Sequence, residues 1–364
     1  VKRSFGIDLI RSLSILIVMF RHYRVTDGFN FGFYAIEFLF VVSGYLIGQI
    51  LLKEFYYRDS IGIDSVGRFM MRRWFRILPM YYFAILVKFI VMPDIGWNIF
   101  YYVFFLQNHF YGIDFYPVTW SLVIDEWFYL GTPVMLFGFM KIFGTAKARV
   151  LAFLVFVVVS INLLRFLWVH YTNAGFETLV GNVPFRQDTL LMGVIAAFIK
   201  MHYRHIFDWL NSKARFIAVF SLFIGYVFLM YLIRGDDSNP ADDHIDNYVW
   251  TRTWNFSICA LIIAATLPFF ENSVDAFKHR LLQPLNRLVV TGSKISYALY
   301  LFHLEVLQAF TWLFPDVAEI RWLRNILCMV IAVLLSYWLY QVIEKKFLIL
   351  RDRYYPDRPM KQAV

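Results

Sequence analysis

Arg11 and His22 stand eleven residues apart in a run that is otherwise largely apolar. At about 100° per residue, eleven steps end about 20° beyond three full turns, so on a helix the two side chains share one face, about 16 Å apart along the axis. A neutral imidazole can take a proton from a hydroxyl near neutral pH. A guanidinium is permanently charged and presents a planar fork to phosphate or carboxylate. Asp8, three residues before Arg11, is placed to pair with it. The plainer reading is that His22 marks the watery end of a membrane span.

Four further groups carry chemistry. Arg68, Arg72, Arg73 and Arg76 precede Ile77-Leu78-Pro79, and Arg72 and Arg76 share a helix face at i, i+4. Such a cluster flanks many spans, yet it also suits a phosphate-bearing cosubstrate. Asp125 and Glu126 are adjacent carboxylates within Thr119–Tyr129, where they either act on a substrate or cap a helix N-terminus. Arg186 and Asp188 stand at the start of another apolar run, and His303 lies inside a further one. Ionisable residues within spans are costly and mark functional sites by default.

These residues need a scaffold, and the composition names it. Of 364 residues, 60% are hydrophobic and 20% aromatic, only 17% are charged, and the mean hydropathy is +0.57. So much apolar surface excludes intrinsic disorder and a soluble globular enzyme; it implies a polytopic membrane protein. Windows of spanning length fall at 7–23, 33–52, 76–92, 118–140, 150–170, 187–202, 214–233, 251–270, 294–313 and 324–344. The expected fold class is all-α: a transmembrane helical bundle of about ten spans in one domain, 1–364, with a core at 5–347 and a basic cytoplasmic tail at 348–364. The first run reads as a retained helix rather than a signal peptide, because Arg11 interrupts it and no small-x-small cleavage site follows.

The stretch 96–111 is shorter and amphipathic, ending in Gln107, Asn108 and His109. If it does not cross and the N-terminus is cytoplasmic, 25 of the 35 Lys and Arg residues fall on cytoplasmic segments and 5 on outer ones. That asymmetry fits the positive-inside rule, so 96–111 is read as a re-entrant or interfacial helix and both termini as cytoplasmic. The same rule accounts for the net charge of +9 without nucleic acid. The acidic loop Gly235–Asp246 then falls outside. Cys259 and Cys328 lie in apolar runs and form neither a disulfide framework nor a C-x-x-C metal motif.

Taken together and in order, the motifs resemble those of the acyltransferase 3 family of integral-membrane acyltransferases. Arg11 and His22 fit its R-x10-H, within Ile7-Asp8-Leu9-Ile10-Arg11-Ser12-Leu13. Phe38 to Ile47, with Ser43-Gly44-Tyr45, is similar to its F-F-x-x-S-G-Y-L-I, and Arg72 to Pro79 to its R-x-x-x-R-I-x-P. Trp120 to Tyr129 resembles W-S-L-x-x-E-E-x-F-Y, with Asp125 in place of the first Glu. Phe185-Arg186-Gln187-Asp188 with Gly193 is similar to F-R-x-D…G, Ser296 to His303 to I-S-Y-x-L-Y-L-x-H, and Glu344 to Phe347 to a closing E-x-x-F. The resemblance covers about residues 5–347 and corresponds to the membrane domain alone, without the hydrolase-like domain that some members append.

The resemblance implies an acyl-CoA donor, acetyl-CoA above all, and O-acylation of a cell-surface or lipid-linked glycan in a bacterial inner membrane, with no metal. It implies catalytic roles for His22, Asp125 and Glu126, with His22 the general base oriented by a nearby carboxylate. A covalent acyl-histidine is the variant route. Arg11, Ser43, Arg72, Arg73 and Arg76 are expected on the donor, with Ser43 donating to the oxyanion where Gly44 frees the backbone. Arg186, Asp188 and His303 are expected near the acceptor. The competing reading from another class is a multi-span carrier or flippase, which the same intramembrane charges would suit.

Overall fold

The computed structural model describes residues 4–25, 31–57, 62–110, 114–234, 245–272 and 283–356. Expectations for Lys2 and Arg3, for most of the acidic loop Gly235–Asp246, for part of the basic segment 271–294 and for the tail beyond 356 lie outside the described residues. Among the described residues the chain is helical and contains no strand.

The long helices are α1 (Phe5–His22), α2 (Phe31–Tyr56), α3 (Ile63–Val91), α6 (Trp120–Phe143), α7 (Lys147–Thr172), α9 (Gln187–His202), α11 (Lys213–Arg234), α13 (Asn255–Asn272), α14 (Gln283–Leu313) and α16 (Arg321–Leu339); short helices α8 (Phe176–Val180), α10 (Arg204–Leu210), α12 (Val249–Arg252) and α15 (Pro315–Glu319) fall between them. Each expected window overlaps one of them. Seven helical stretches are long and apolar enough to cross a membrane, or eight if Pro184–His202 and Arg204–Leu210, bent by 112°, form one broken span. That measure does not reach the expected ten. α1 carries Asp8, Arg11 and Arg21, and α14 carries His303, Glu305 and Gln308; these polar residues lower the apolar character of two helices packed inside the bundle.

Among the described residues between α3 and α6 lie the 3₁₀ turns Pro93–Asn98 and Pro117–Thr119 and two short helices, α4 (Ile99–Val103) and α5 (Gln107–Phe110). At 1.5 Å per residue, neither approaches the roughly 30 Å of a bilayer core, so 96–111 does not cross as a helix. A π-helical turn, Tyr340–Glu344, carries α16 into α17 (Lys345–Tyr354).

Apolar side chains point outward as well as inward. Phe156, Leu163 and Leu164 of α7, and Leu222, Phe228 and Leu232 of α11, are exposed, whereas Arg165, Arg186, Asp188 and Glu37 are fully buried. A chain bathed in lipid has this arrangement, because its apolar surface needs no cover and its charges need partners.

α2 and α9 form the tightest pairing. A Cβ on Gly44 would lie 1.9 Å from the Leu190 carbonyl oxygen, and one on Gly193 would lie 2.1 Å from the Val41 carbonyl oxygen. Gly44 and Gly48 are four apart, the small-xxx-small spacing that lets helix backbones touch. This contact fixes the α2 face that carries Ile36, Ser43 and Leu46.

Candidate active site

α1 organises the site. Along its length it borders three cavities in succession. The first, of about 430 Å³, lies at the Ser4 end and is lined by Asp8, Arg11, Arg76, Lys294, Glu344 and Arg351, among others. The second is narrower, about 140 Å³, and shares Arg11, Leu46 and Arg76 with the first. The third, of about 450 Å³, opens at the other end beside Val18, Arg21 and His22, and shares Ile36 with the second. Arg11 and His22 thus both face the interior, as their spacing on one helix requires.

In the third cavity, His22 Nδ1 lies 2.6 Å from His303 Nε2, with the two rings 9° from parallel. His22 is exposed to the cavity, whereas His303 is fully buried behind it. Tyr23 donates its hydroxyl to the His303 carbonyl oxygen at 3.0 Å, and Asn325 donates to the Tyr23 carbonyl oxygen at 3.0 Å. The expectation of a carboxylate beside His22 gives way to this histidine, brought across from α14. His303 therefore stands directly behind His22, shielded from the cavity. The rest of this wall combines rings and amides. Phe33, Trp120 and Phe176 line it, along with Asn182 and Asn108. Asn108 donates to the carbonyl oxygens of Trp120 and Gly181, both at 2.9 Å.

In the second cavity, Arg11 donates to the Ser296 hydroxyl at 3.0 Å; in the first, Ser293 donates to Asp8 at 2.6 Å. The Arg73 guanidinium sits 5.5 Å from the Tyr129 ring centroid. Asp125 and Glu126 line this same cavity. They lie beyond the first turn of α6, so they do not cap its N-terminus, and they share this cavity with Arg11, Arg73 and Arg76. Glu126 Oε1 and Asp125 Oδ1 are buried without a hydrogen-bond donor. Ser43 Oγ and Tyr129 Oη are 2.6 Å apart, as are Ser121 Oγ and Tyr300 Oη. Gly44 lies within regular α2 against α9, so it frees no backbone group for an oxyanion, and the Ser43 hydroxyl is engaged with Tyr129.

Two predicted groups leave the site. Arg72 turns toward α17, donating to the Tyr355 carbonyl oxygen and lying 3.4 Å from Asp352; Arg73 and Arg76, three apart on α3, take the cavity-facing positions instead. Arg186 and Asp188 are fully buried and line none of the three cavities. Arg186 is paired with Glu37, and Arg165 with Asp188 at 2.6 Å. The Phe256 ring lies 4.2 Å from the Arg186 guanidinium and 4.8 Å from that of Arg165, and Ser257 donates to Asp188. Two cations and two anions thus balance inside the bundle.

Sequence reasoning missed Glu37, Lys88, Glu271 and Glu305 as structural ions. Lys88 lies 3.0 Å from Glu305, and Lys200 is paired with Glu271. The signal was present: each is a charge in or at the end of an apolar run, where a partner must be sought. Among the described residues, no cluster of three or more His, Cys, Asp or Glu is arranged to hold a metal ion.

A model of the acyltransferase domain family matches residues 4–341. Two O-acetyltransferases named OatA, from Staphylococcus aureus strains NCTC 8325 / PS 47 and COL, are each 26% identical over 324 residues, covering 83% of this chain and 50% of theirs. A protein of Staphylococcus aureus strain COL, named as a candidate O-acetyltransferase, is 27% identical over 339 residues with the same coverage. The chain thus spans about half the length of the curated relatives it matches. No solved structure matches it.

Proposed function

The chain belongs to this acyltransferase domain family, and from that premise we propose that it is a membrane-embedded O-acyltransferase moving an acyl group, acetyl above all, from acyl-CoA to a hydroxyl of a glycan. The observation that carries the reading is the course of α1, which leads from a cavity lined by Arg11, Arg76, Lys294 and Arg351 to a cavity lined by His22.

The phosphates of the donor dock at the Ser4 end, where those cations attract them. The narrow second cavity takes the pantetheine arm, which is slimmer than the nucleotide. The acceptor enters the cavity at the His22 end, against Trp120, Phe33 and the amides of Asn108 and Asn182. His22 takes the proton of the acceptor hydroxyl as its oxygen bonds to the thioester carbonyl carbon. The tetrahedral intermediate then collapses, the C–S bond breaks, and protonated His22 returns the proton to the departing thiolate. The products are an ester and free CoA thiol. The Ser4 end faces the cytosol of a bacterial inner membrane, where acyl-CoA is made, with both termini on that side; the positive-inside asymmetry supports this orientation.

A carrier or flippase is the second reading, favoured by one observation: the three cavities lie end to end along a helix with the length of a span. Thermal stability in detergent separates the two. The enzyme is stabilised by acetyl-CoA through binding linkage, by about 2.7 kcal/mol at a hundredfold excess over Kd; a generic carrier is not. Acetyl transfer assayed in membranes completes the test. His22→Ala abolishes it in a folded protein, and full activity in that variant removes the mechanism.

A further inference from the structure

Resting on the reading of His22 as the base, we propose that His303 is a positioning residue that fixes the tautomer of His22 and holds its Nε2 bare toward the acceptor. The assignment follows from a chain of contacts in which only one proton arrangement satisfies every atom. His303 Nδ1 lies 2.8 Å from the Tyr300 carbonyl oxygen and 3.2 Å from that of Leu299. Both oxygens can only accept, so Nδ1 carries the proton. A neutral imidazole has a single N–H, so His303 Nε2 presents its lone pair. The ring is fully buried, and its polar partners are two carbonyl oxygens and one imidazole, with no carboxylate among them. The atom facing that lone pair at 2.6 Å is His22 Nδ1. It must therefore donate, and the remaining nitrogen of His22, Nε2, is left with a free lone pair.

During the reaction the arrangement has a second effect. When Nε2 takes the acceptor proton, His22 becomes an imidazolium whose Nδ1–H still points at His303. A hydrogen bond from a charged donor is roughly twice as strong as a neutral one, so the contact tightens as the transition state forms and relaxes when the proton leaves with the thiolate. A buried aspartate performs the same service in Ser-His-Asp hydrolases; here a neutral ring does it without placing another anion in the membrane. The holder is itself held: Tyr23, the residue that caps the end of α1, donates to the His303 carbonyl oxygen, and Asn325 of α16 donates to that of Tyr23. Three helices thus converge on one ring.

The test compares His303→Leu, which offers no acceptor, with His303→Gln, whose amide oxygen can accept. Both are assayed for acetyl transfer to the acceptor, with kcat and KM resolved. His303→Leu should lose about 10³-fold or more in kcat, as expected for a base held in the wrong tautomer, with acceptor KM little changed; His303→Gln should recover at least about tenfold of that loss, the order expected of one hydrogen bond to a charged group. Equal losses in the two variants would mean a merely structural role and would overturn the proposal. Near-normal kcat in His303→Leu, with His22→Ala inactive, overturns it and leaves His22 as the base; an active His22→Ala removes both. A further measurement needs no His303 variant. In ¹⁵N-histidine-labelled wild-type protein in bilayers, the His22 resonances, assigned by difference from His22→Gln, should report a protonated Nδ1 and a bare Nε2. The opposite tautomer overturns the proposal even if His303→Leu does not fold.

Discussion

Replacing Asp188 by Asn separates two roles that the sequence alone leaves together. As an acceptor-binding residue, Asp188 would affect the reaction and leave stability alone. Its surroundings predict the reverse. Both members of the Arg165–Asp188 pair are fully buried, with a separation of 2.6 Å, and the neighbouring Arg186–Glu37 pair is equally buried. The substitution is nearly isosteric, so no cavity forms. It turns a balanced set of two cations and two anions into one with an excess positive charge that water cannot reach. Breaking a buried pair from one side costs about 3–5 kcal/mol, and a loss of that size lowers the melting temperature by at least about 5 °C. Arg165→Gln combined with Asp188→Asn restores neutrality and should recover most of the loss, leaving the double variant more stable than Asp188→Asn alone. The assay is thermal unfolding of purified protein in detergent, run alongside acetyl transfer with acceptor KM determined. A melting temperature within about 1 °C of wild type, together with a raised acceptor KM, would refute the architectural reading and return Asp188 to the acceptor site.

Arg76→Ala should weaken stabilisation by acetyl-CoA about 10- to 100-fold in apparent Kd, the value of one hydrogen bond to a charged group, whereas Arg72→Ala, whose side chain is turned to Tyr355 and Asp352, should leave it within about threefold; thermal shift titrations compare them. Gly193→Ala forces the new methyl to 2.1 Å from the Val41 carbonyl oxygen, so α2 and α9 must part and stability should fall by about 1–3 kcal/mol or more, read as loss of monodisperse protein or a lower melting temperature. Glu305→Gln leaves Lys88 buried beside a neutral amide and should destabilise by about 3 kcal/mol without altering CoA binding.

The sequence determined the kind of molecule and the order of its parts. Apolar windows of spanning length set the positions of the long helices, because a backbone in lipid must satisfy its hydrogen bonds within each segment. Helical periodicity placed Arg11 and His22 on one face of α1, and the distribution of Lys and Arg marked 96–111 as a non-crossing stretch. The ordered motifs resembled the family that the chain proved to belong to. Periodicity fixes which face of a helix a side chain occupies; it does not say which helix that face meets. His22 therefore acquired its partner only when α14 brought in His303 from 281 residues away. Arg186 and Asp188 were legible as costly charges, but Glu37 and Arg165, the partners that turn them into scaffold, lie on other helices. Asp125 and Glu126 sit one turn and more into α6, and only the packing of α6 against α3 turns them toward Arg73. Ion pairs and proton relays are long-range in sequence because they join different helices, and the close α2–α9 packing decides which helices those are.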